Sequence, residues 1–220
     1  MPQPLYVFDM DDTLINGDCA SLWSQFLVEK GIALDPEYLN TDKALMALYA
    51  KGELDMEEYI SYTLAPMINI SVKDVDSLVD EFVNNKVMPL VFPEAIQLIQ
   101  SLKANNIQCI IISATVTFIV KNVAKALMID DALGIDLLIE NNCYQNQVTG
   151  VATYREGKVI RLKQWLAEKT IAFEGIHFYS DSINDLALCE YADHTYLVNP
   201  CARLRDEAEK HPKWTIYQWG

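Results

Sequence analysis

No arginine precedes Arg155 in this 220-residue chain, and basic side chains are few throughout: 17 Lys and Arg against 31 Asp and Glu, a formal net charge of −14. A surface this negative repels a phosphodiester backbone, which sets aside nucleic acid as a partner. Cysteine and histidine are sparse and scattered. The five cysteines (Cys19, Cys109, Cys143, Cys189, Cys201) are odd in number and share no close-pair spacing, and the three histidines (His177, His194, His211) are equally dispersed. Neither a zinc site nor a disulfide framework is expected from that pattern, and a reducing cytoplasm fits it best. Long apolar runs are missing as well; nothing approaches the ~18 uninterrupted apolar residues of a membrane span. Met1-Pro2-Gln3-Pro4 carries no basic leader and the apolar run after it stops at Asp9, so no signal peptide is expected. Repeats and low-complexity tracts are lacking too.

What the chain does have is the balance of a folded globular protein: 51% apolar and 22% charged residues. Its length suits one domain, or one domain carrying an insertion. Leu5-Tyr6-Val7-Phe8 reads as a buried strand that delivers Asp9-Met10-Asp11-Asp12-Thr13 at its C-terminal end. Residues 17–85 then read as a small all-helical unit. Leu22, Trp23, Phe26 and Leu27 recur at helical spacing up to Gly31, and Asp35-Pro36 supplies an N-cap and first-turn proline for a helix running to Gly52. Asp55 with Glu58 and Ser71 with Asp74 resemble capping boxes for helices at 56–65 and 72–86, with Pro66 closing the first. This unit holds 13 Asp/Glu against 4 Lys, a net of −9.

After Pro89 strands and helices alternate. Helices are expected at 93–104, 116–128, from 158, from 183 and at 202–210, and strands at 107–112, 137–139, 176–179, 195–198 and 214–218. Residues 140–155 suit a hairpin or an irregular excursion. This alternation predicts an α/β fold, a mostly parallel sheet with helices on both faces, with the helical unit inserted after the first strand.

Ligands of such sheets bind beyond the carboxyl ends of the strands. Those ends carry Asp9 and Asp11, Ser113, and Asp181 and Asp185, with Lys158 opening a helix nearby. Four carboxylates on one rim are tolerable only with a cation or a lysine among them, or with some protonated. Oxygen ligands alone favour a hard cation, and Mg²⁺ over Ca²⁺ if several waters remain. A hydroxyl, a lysine and loop amides beside that cation make a cradle for a phosphoryl group, which one carboxylate can attack while another manages protons.

These motifs, Asp9-Met10-Asp11-Asp12-Thr13, Ser113 ending a β-branched strand, Lys158, and Asp181-Ser182-Ile183-Asn184-Asp185, resemble in order and spacing the four motifs of the haloacid dehalogenase superfamily. The helical insertion is similar to the small cap of its subfamily I. Glu156-Gly157-Lys158-Val159 and Tyr179 through Leu186 look like the phosphoserine-phosphatase-like branch, which includes some histidinol-phosphatases. The resemblance implies a Rossmann-like α/β core at 1–16 and 86–220 and a helical cap at 17–85. It implies a Mg²⁺-dependent phosphatase of a small phosphorylated metabolite. Asp9 would be nucleophile and metal ligand, and Asp11 the general acid/base, its carbonyl on the metal. Thr13 would order the first loop, and Ser113 and Lys158 would hold phosphate oxygens. Asp181 would complete the metal site, Asp185 would ligate directly or through water, and Asn184 would orient phosphate or substrate. Asp12 departs from the Gly, Ser or Asn usual there.

Each of these residues also has a plainer reading. Ser113 alone suits a helix cap, Lys158 a solvated helix start, Asp181 to Asp185 a capped helix, Cys19 a packing position, and Trp23 and Phe26 the cap interior. A phosphotransferase or mutase would share the aspartyl-phosphate, and a phospho-acceptor receiver module would share the Asp, Ser/Thr and Lys set in a shorter chain. Substrate choice is less legible. Phosphoserine phosphatases are expected to place an arginine in the cap for the substrate carboxylate and an acid after the first motif for the amine. Here the cap has no arginine, the corresponding acid is Asp18, and Lys43, Lys51 or Lys73 could substitute only without the bidentate fork that suits a carboxylate. A cap of net −9 suits a substrate with an amine and no carboxylate, such as histidinol phosphate, better than phosphoserine; its plainer reading is acids that solvate exposed helix faces.

Overall fold

The computed structural model describes residues 3–220; Met1 and Pro2, which entered the expectation of no leader, lie outside the described residues. Strand β1 (Gln3–Phe8) is followed by four helices, α1 (Cys19–Glu29), α2 (Tyr38–Lys51), α3 (Met56–Leu64) and α4 (Val72–Phe82). The rest alternates: α5 (Pro93–Ala104), β2 (Gln108–Val116), α6 (Thr117–Ala126), β3 (Asp131–Ile135), a hairpin of β4 (Leu137–Glu140) and β5 (Cys143–Val148), α7 (Glu156–Ala167), β6 (Phe173–Ser180), α8 (Leu186–Tyr191), β7 (His194–Val198), α9 (Ala202–Ala208) and β8 (Thr215–Tyr217). Among the described residues the main sheet has six strands in the order β3-β2-β1-β6-β7-β8, and every pairing in it is parallel.

That order contains one reversal. The chain builds outward from β1 to β3, then returns to lay β6 on the other side of β1. The crevice where the winding reverses is the topological switch point, where such sheets bind ligands. Asp9 leaves β1 and Asp181 leaves β6 on its two sides, and the Asp9 amide donates to the Tyr179 carbonyl at 2.9 Å.

Burial on both faces explains why the strands read as unbroken apolar runs. Leu5, Val7, Ile110, Ile112, Phe178 and Leu197 pack against Leu162, Leu188 and Leu204 of α7, α8 and α9. Phe8, Cys109 and Ile111 point the other way, towards Ala95, Ile99 and Leu102 of α5. The four-helix insertion shares this second core. Trp23 meets Phe82 edge-on at 5.0 Å and reaches Phe118 of α6 at 5.8 Å.

The two N-caps form as the sequence implies, without the return bond of a full capping box among the described residues: Asp55 accepts from the Glu57 and Glu58 amides, and Ser71 Oγ accepts from the Asp74 amide. Elsewhere local signals are displaced. Asp35 accepts from the Glu37 amide at 2.9 Å, so Asp35-Pro36 makes a turn and α2 begins only at Tyr38. The strand expected at 137–139 lies in the β4–β5 hairpin, outside the main sheet. The sheet instead takes β3, whose Asp131, Ala132 and Gly134 carry little β propensity. Gly134 is needed there because a Cβ would stand 2.7 Å from the Thr115 carbonyl oxygen. Tertiary pairing at the sheet edge overrides local preference.

Candidate active site

The site grows from a buried triad of charges. Lys158, in the first turn of α7, places Nζ 2.7 Å from Asp9 Oδ1 and 2.7 Å from Asp185 Oδ1. Lys158 is 1% exposed, so it is no solvated helix-start lysine; two carboxylates compensate its burial and raise its pKa. The second oxygen of Asp185 accepts from Ser180 at 2.8 Å. Thr13 lies between Asp9 Oδ2 at 3.3 Å and Asp181 Oδ1 at 3.2 Å. Burial pushes the Asp9 carboxyl up to about 7, against the pull of Lys158 and with the help of Asp185 and Asp11. Burial, then Asp9 and Asp185, push Asp181 well above the carboxylate range.

Asp11 is held separately. One oxygen accepts the Cys19 amide at 2.7 Å; the other accepts Ser113 Oγ at 3.1 Å and Thr115 Oγ1 at 2.8 Å. Ser113 does not cap a helix. Its Oγ accepts the Thr115 amide, its carbonyl accepts the Thr153 hydroxyl at 2.5 Å, and α6 begins without a side-chain cap. Cys19 is fully buried, and burial with Asp11 nearby pushes its thiol up, which suits packing rather than nucleophilic attack.

Over these groups lies a cavity of about 60 Å³ between sheet rim and helices. Asp9, Asp11, Asp12, Asp18 and Asp181, with Thr115 and Ser182, form its polar wall, and Met46, Tyr49, Leu54, Met56 and Tyr59 its apolar wall; among the described residues no Lys, Arg or His lines it. Asp18 caps α1, accepting the Ser21 amide at 2.6 Å, and burial followed by Asp11 pushes its carboxyl up to about 7. Asp18 is the one acid of residues 17–85 on that wall; Glu81 and Glu29, by contrast, pair with Lys30 and Lys86 on the outer surface. Asn184 faces away from the acids and donates to the Tyr49 carbonyl at 3.0 Å, tying core to helical unit. Arg203 does the same to Lys51 at 2.7 Å.

Among the described residues no three His, Cys, Asp or Glu side chains form a ready-made metal cage. The donors present nonetheless suit a hard cation. Three carboxylates, Asp9, Asp181 and Asp185, face a single lysine; Asp185 has both oxygens held at 2.7–2.8 Å, whereas Asp9 Oδ2 and Asp181 Oδ1 meet only the longer Thr13 contacts at 3.3 and 3.2 Å. A cation displacing those contacts would find two carboxylate donors, a number suited to Mg²⁺ retaining several waters.

The profile of the haloacid dehalogenase-like hydrolases matches residues 6–190. The chain belongs to that family. A histidinol-phosphatase of Neisseria meningitidis serogroup C (strain 8013) is 32% identical over 216 residues, 96% of this chain and 97% of that one. A phosphoserine phosphatase of Idiomarina loihiensis is 26% identical over 181 residues, 82% of this chain and 75% of that one. A crystal structure of a protein of unknown function from Bordetella pertussis Tohama I superposes with a TM-score of 0.89 at 29% identity, covering 98% of each chain. This haloacid dehalogenase-like chain is thus a hydrolase of the phosphatase kind, with the α/β fold its strand order describes. Among the described residues no helix is long and apolar enough to cross a membrane.

Several residues around the site escape sequence reasoning. Thr115 had a signal, since it follows Ser113 by two positions and alternation puts both on one face of β2. Thr153 and Ser180 had none, because nothing local marks a hydroxyl that braces a distant strand. Trp23 and Phe26 fill the helical unit's interior as expected, each 2% exposed; the aromatics that face the cavity are Tyr49 and Tyr59.

Proposed function

We propose that the chain is a Mg²⁺-dependent phosphomonoesterase acting on a small amino-alcohol phosphate, with histidinol phosphate as the leading candidate, through an aspartyl-phosphate on Asp9. The observation that carries the substrate part is the cavity wall: acids and apolar or aromatic side chains, with no basic group to pair a carboxylate. Asp18 is available to a substrate ammonium, while Tyr49 and Tyr59 offer faces to an aromatic or cationic group. The relative named histidinol-phosphatase supports the same reading.

In this mechanism residues 1–16 and 86–220 are the catalytic core and 17–85 the cap. Lys158 and Ser113 bind phosphate oxygens, and Lys158 also fixes Asp9 for in-line attack on phosphorus. The P–O ester bond breaks as Asp11 gives its proton to the leaving alkoxide. Water then attacks the phosphoenzyme, Asp11 takes its proton, and Asp9 is released as a carboxylate. Asp9, Asp181 and the Asp11 carbonyl would hold Mg²⁺, with Asp185 acting through Lys158 or water; when bound, the ion offsets charge developing on the phosphoryl oxygens. The cap's apolar wall excludes bulk water while phosphoryl transfer proceeds.

The test is a phosphate-release screen over a panel of phosphomonoesters with and without Mg²⁺, with Asp9→Asn as control. The expected result is Mg²⁺-dependent release led by an amine-bearing ester and abolished in the variant. Phosphoserine leading by a wide margin overturns the substrate class, and an active Asp9→Asn overturns the nucleophile.

A further inference from the structure

The general acid/base of the proposed mechanism shares a donor with the substrate. Asp11 Oδ2 accepts from Ser113 Oγ at 3.1 Å and from Thr115 Oγ1 at 2.8 Å, while Oδ1 accepts the Cys19 amide. A serine hydroxyl has one proton to donate. If Ser113 binds a phosphate oxygen, as the phosphatase reading requires, its proton leaves Asp11 at the moment Asp11 is needed. We propose that Thr115 is the positioning residue for Asp11, the side chain that keeps its carboxylate oriented once Ser113 turns to phosphate. This assignment rests on the phosphatase reading and adds to it.

Three features suit Thr115 to the task. It is 4% exposed and lines the cavity beside Asp11, so its hydroxyl is held at the wall where the carboxylate must point. Its β-branched side chain has restricted χ1 freedom. Its backbone is pinned on two sides: the amide donates to Ser113 Oγ at 3.0 Å, and its carbonyl abuts Gly134 so closely that a Cβ there would sit 2.7 Å away. Without Thr115 the carboxylate would keep only the Cys19 contact while phosphate is bound, and could pivot about it.

Asp11 works twice, as acid to the leaving alkoxide and as base to the attacking water, and leaving-group chemistry separates the two steps. An alkoxide needs a proton as the P–O bond breaks; p-nitrophenolate leaves without one. The experiment compares Thr115→Val and Thr115→Ser with wild type on histidinol phosphate and on p-nitrophenyl phosphate, by steady-state and rapid-quench kinetics. For Thr115→Val on the alkyl ester, kcat is expected to fall about 10²-fold with KM changed no more than about twofold. On the aryl ester the same variant is expected to give a p-nitrophenolate burst at nearly the wild-type rate, followed by slow turnover as phosphoenzyme accumulates. The burst amplitude counts folded sites, so partial unfolding does not mimic the result. Thr115→Ser, which restores the hydroxyl, is expected to recover most of kcat.

Equal losses on both esters in the burst phase, a wild-type kcat in Thr115→Val, or no rescue by serine would overturn the assignment while leaving the phosphatase intact. A wild-type chain that releases no phosphate from either ester would overturn the phosphatase reading, and this one with it.

Discussion

At the scale of single residues the site is a problem of like charge, and its parts differ in how it is solved. Asp9 and Asp185 share Lys158, a compensation that a buried charge requires. Asp12 has no such partner. It stands at φ 53°, in the left-handed region, where the turn requires its amide to donate to the Gly17 carbonyl. Burial and then Asp11 raise its carboxyl pKa. An uncharged residue tolerant of positive φ, such as Asn, keeps this turn without the charge. Asp12→Asn in metal-free buffer is therefore expected to stabilise the fold slightly, by about a few tenths of a kcal/mol because solvent screens this exposed side chain. A raised folded-state pKa makes the carboxylate costly only above its unfolded value, so the gain should grow as pH rises from 4 to 8. Urea midpoints across that range measure it; a gain that is constant or largest at low pH would contradict the charge argument.

At the scale of elements, α7 both braces the sheet and carries Lys158, which the proposed function places on phosphate. Gly157 precedes Lys158 and lies so close to the preceding loop that a Cβ would stand 2.0 Å from the Ala152 carbonyl oxygen. Backbone offers no give, so Gly157→Ala must shift the start of α7 and Lys158 with it. The expected outcome is a loss of about 10²-fold or more in kcat/KM together with about 1–3 kcal/mol of stability. Phosphate-release kinetics and urea unfolding check both, and unchanged kinetics would detach the position of Lys158 from this packing. The far end of the helix docks on β3 through Asp131, which accepts Trp165 Nε1 at 2.6 Å, the Ala132 amide at 2.9 Å and Lys169 Nζ at 3.2 Å. Desolvation opposes ionisation there, but these donors outweigh it and hold the carboxyl below its ordinary value. A depressed folded-state pKa contributes stability above the unfolded value near 4, lost as pH falls through the folded one. Asp131→Asn should then cost about 1 kcal/mol at pH 7, screened by its partial exposure, and almost nothing near pH 2. Thermal unfolding at the two pH values decides.

At the scale of the whole molecule, the −14 charge divides into a few acids that line the cavity and a larger number that do not. Asp18 is the one acid of residues 17–85 lining the cavity, so under the proposed function the field of the other acids would bias approach rather than form a binding site. Raising ionic strength from about 0.02 to 0.3 M shortens the screening length from about 20 to 6 Å. The ratio of kcat/KM for histidinol phosphate over phosphoserine should fall by about threefold across that range. A flat ratio would assign the cap acids to solvation alone. The sequence by itself determined the α/β alternation, the inserted helices and the acids at the strand ends, while Ser113 and Lys158 stood out only through the resemblance of the ordered motifs. It could do so because buried strands, caps and strand-end carboxylates leave local patterns of a few residues. Only the tertiary structure decided that β3 joins the sheet in place of 137–139, that Asn184 turns to Tyr49, and that Thr115 shares Asp11 with Ser113. Those outcomes depend on which distant backbone groups and hydroxyls come within about 3 Å of one another. Such proximity is set by packing across the switch point, and no stretch of sequence encodes it alone.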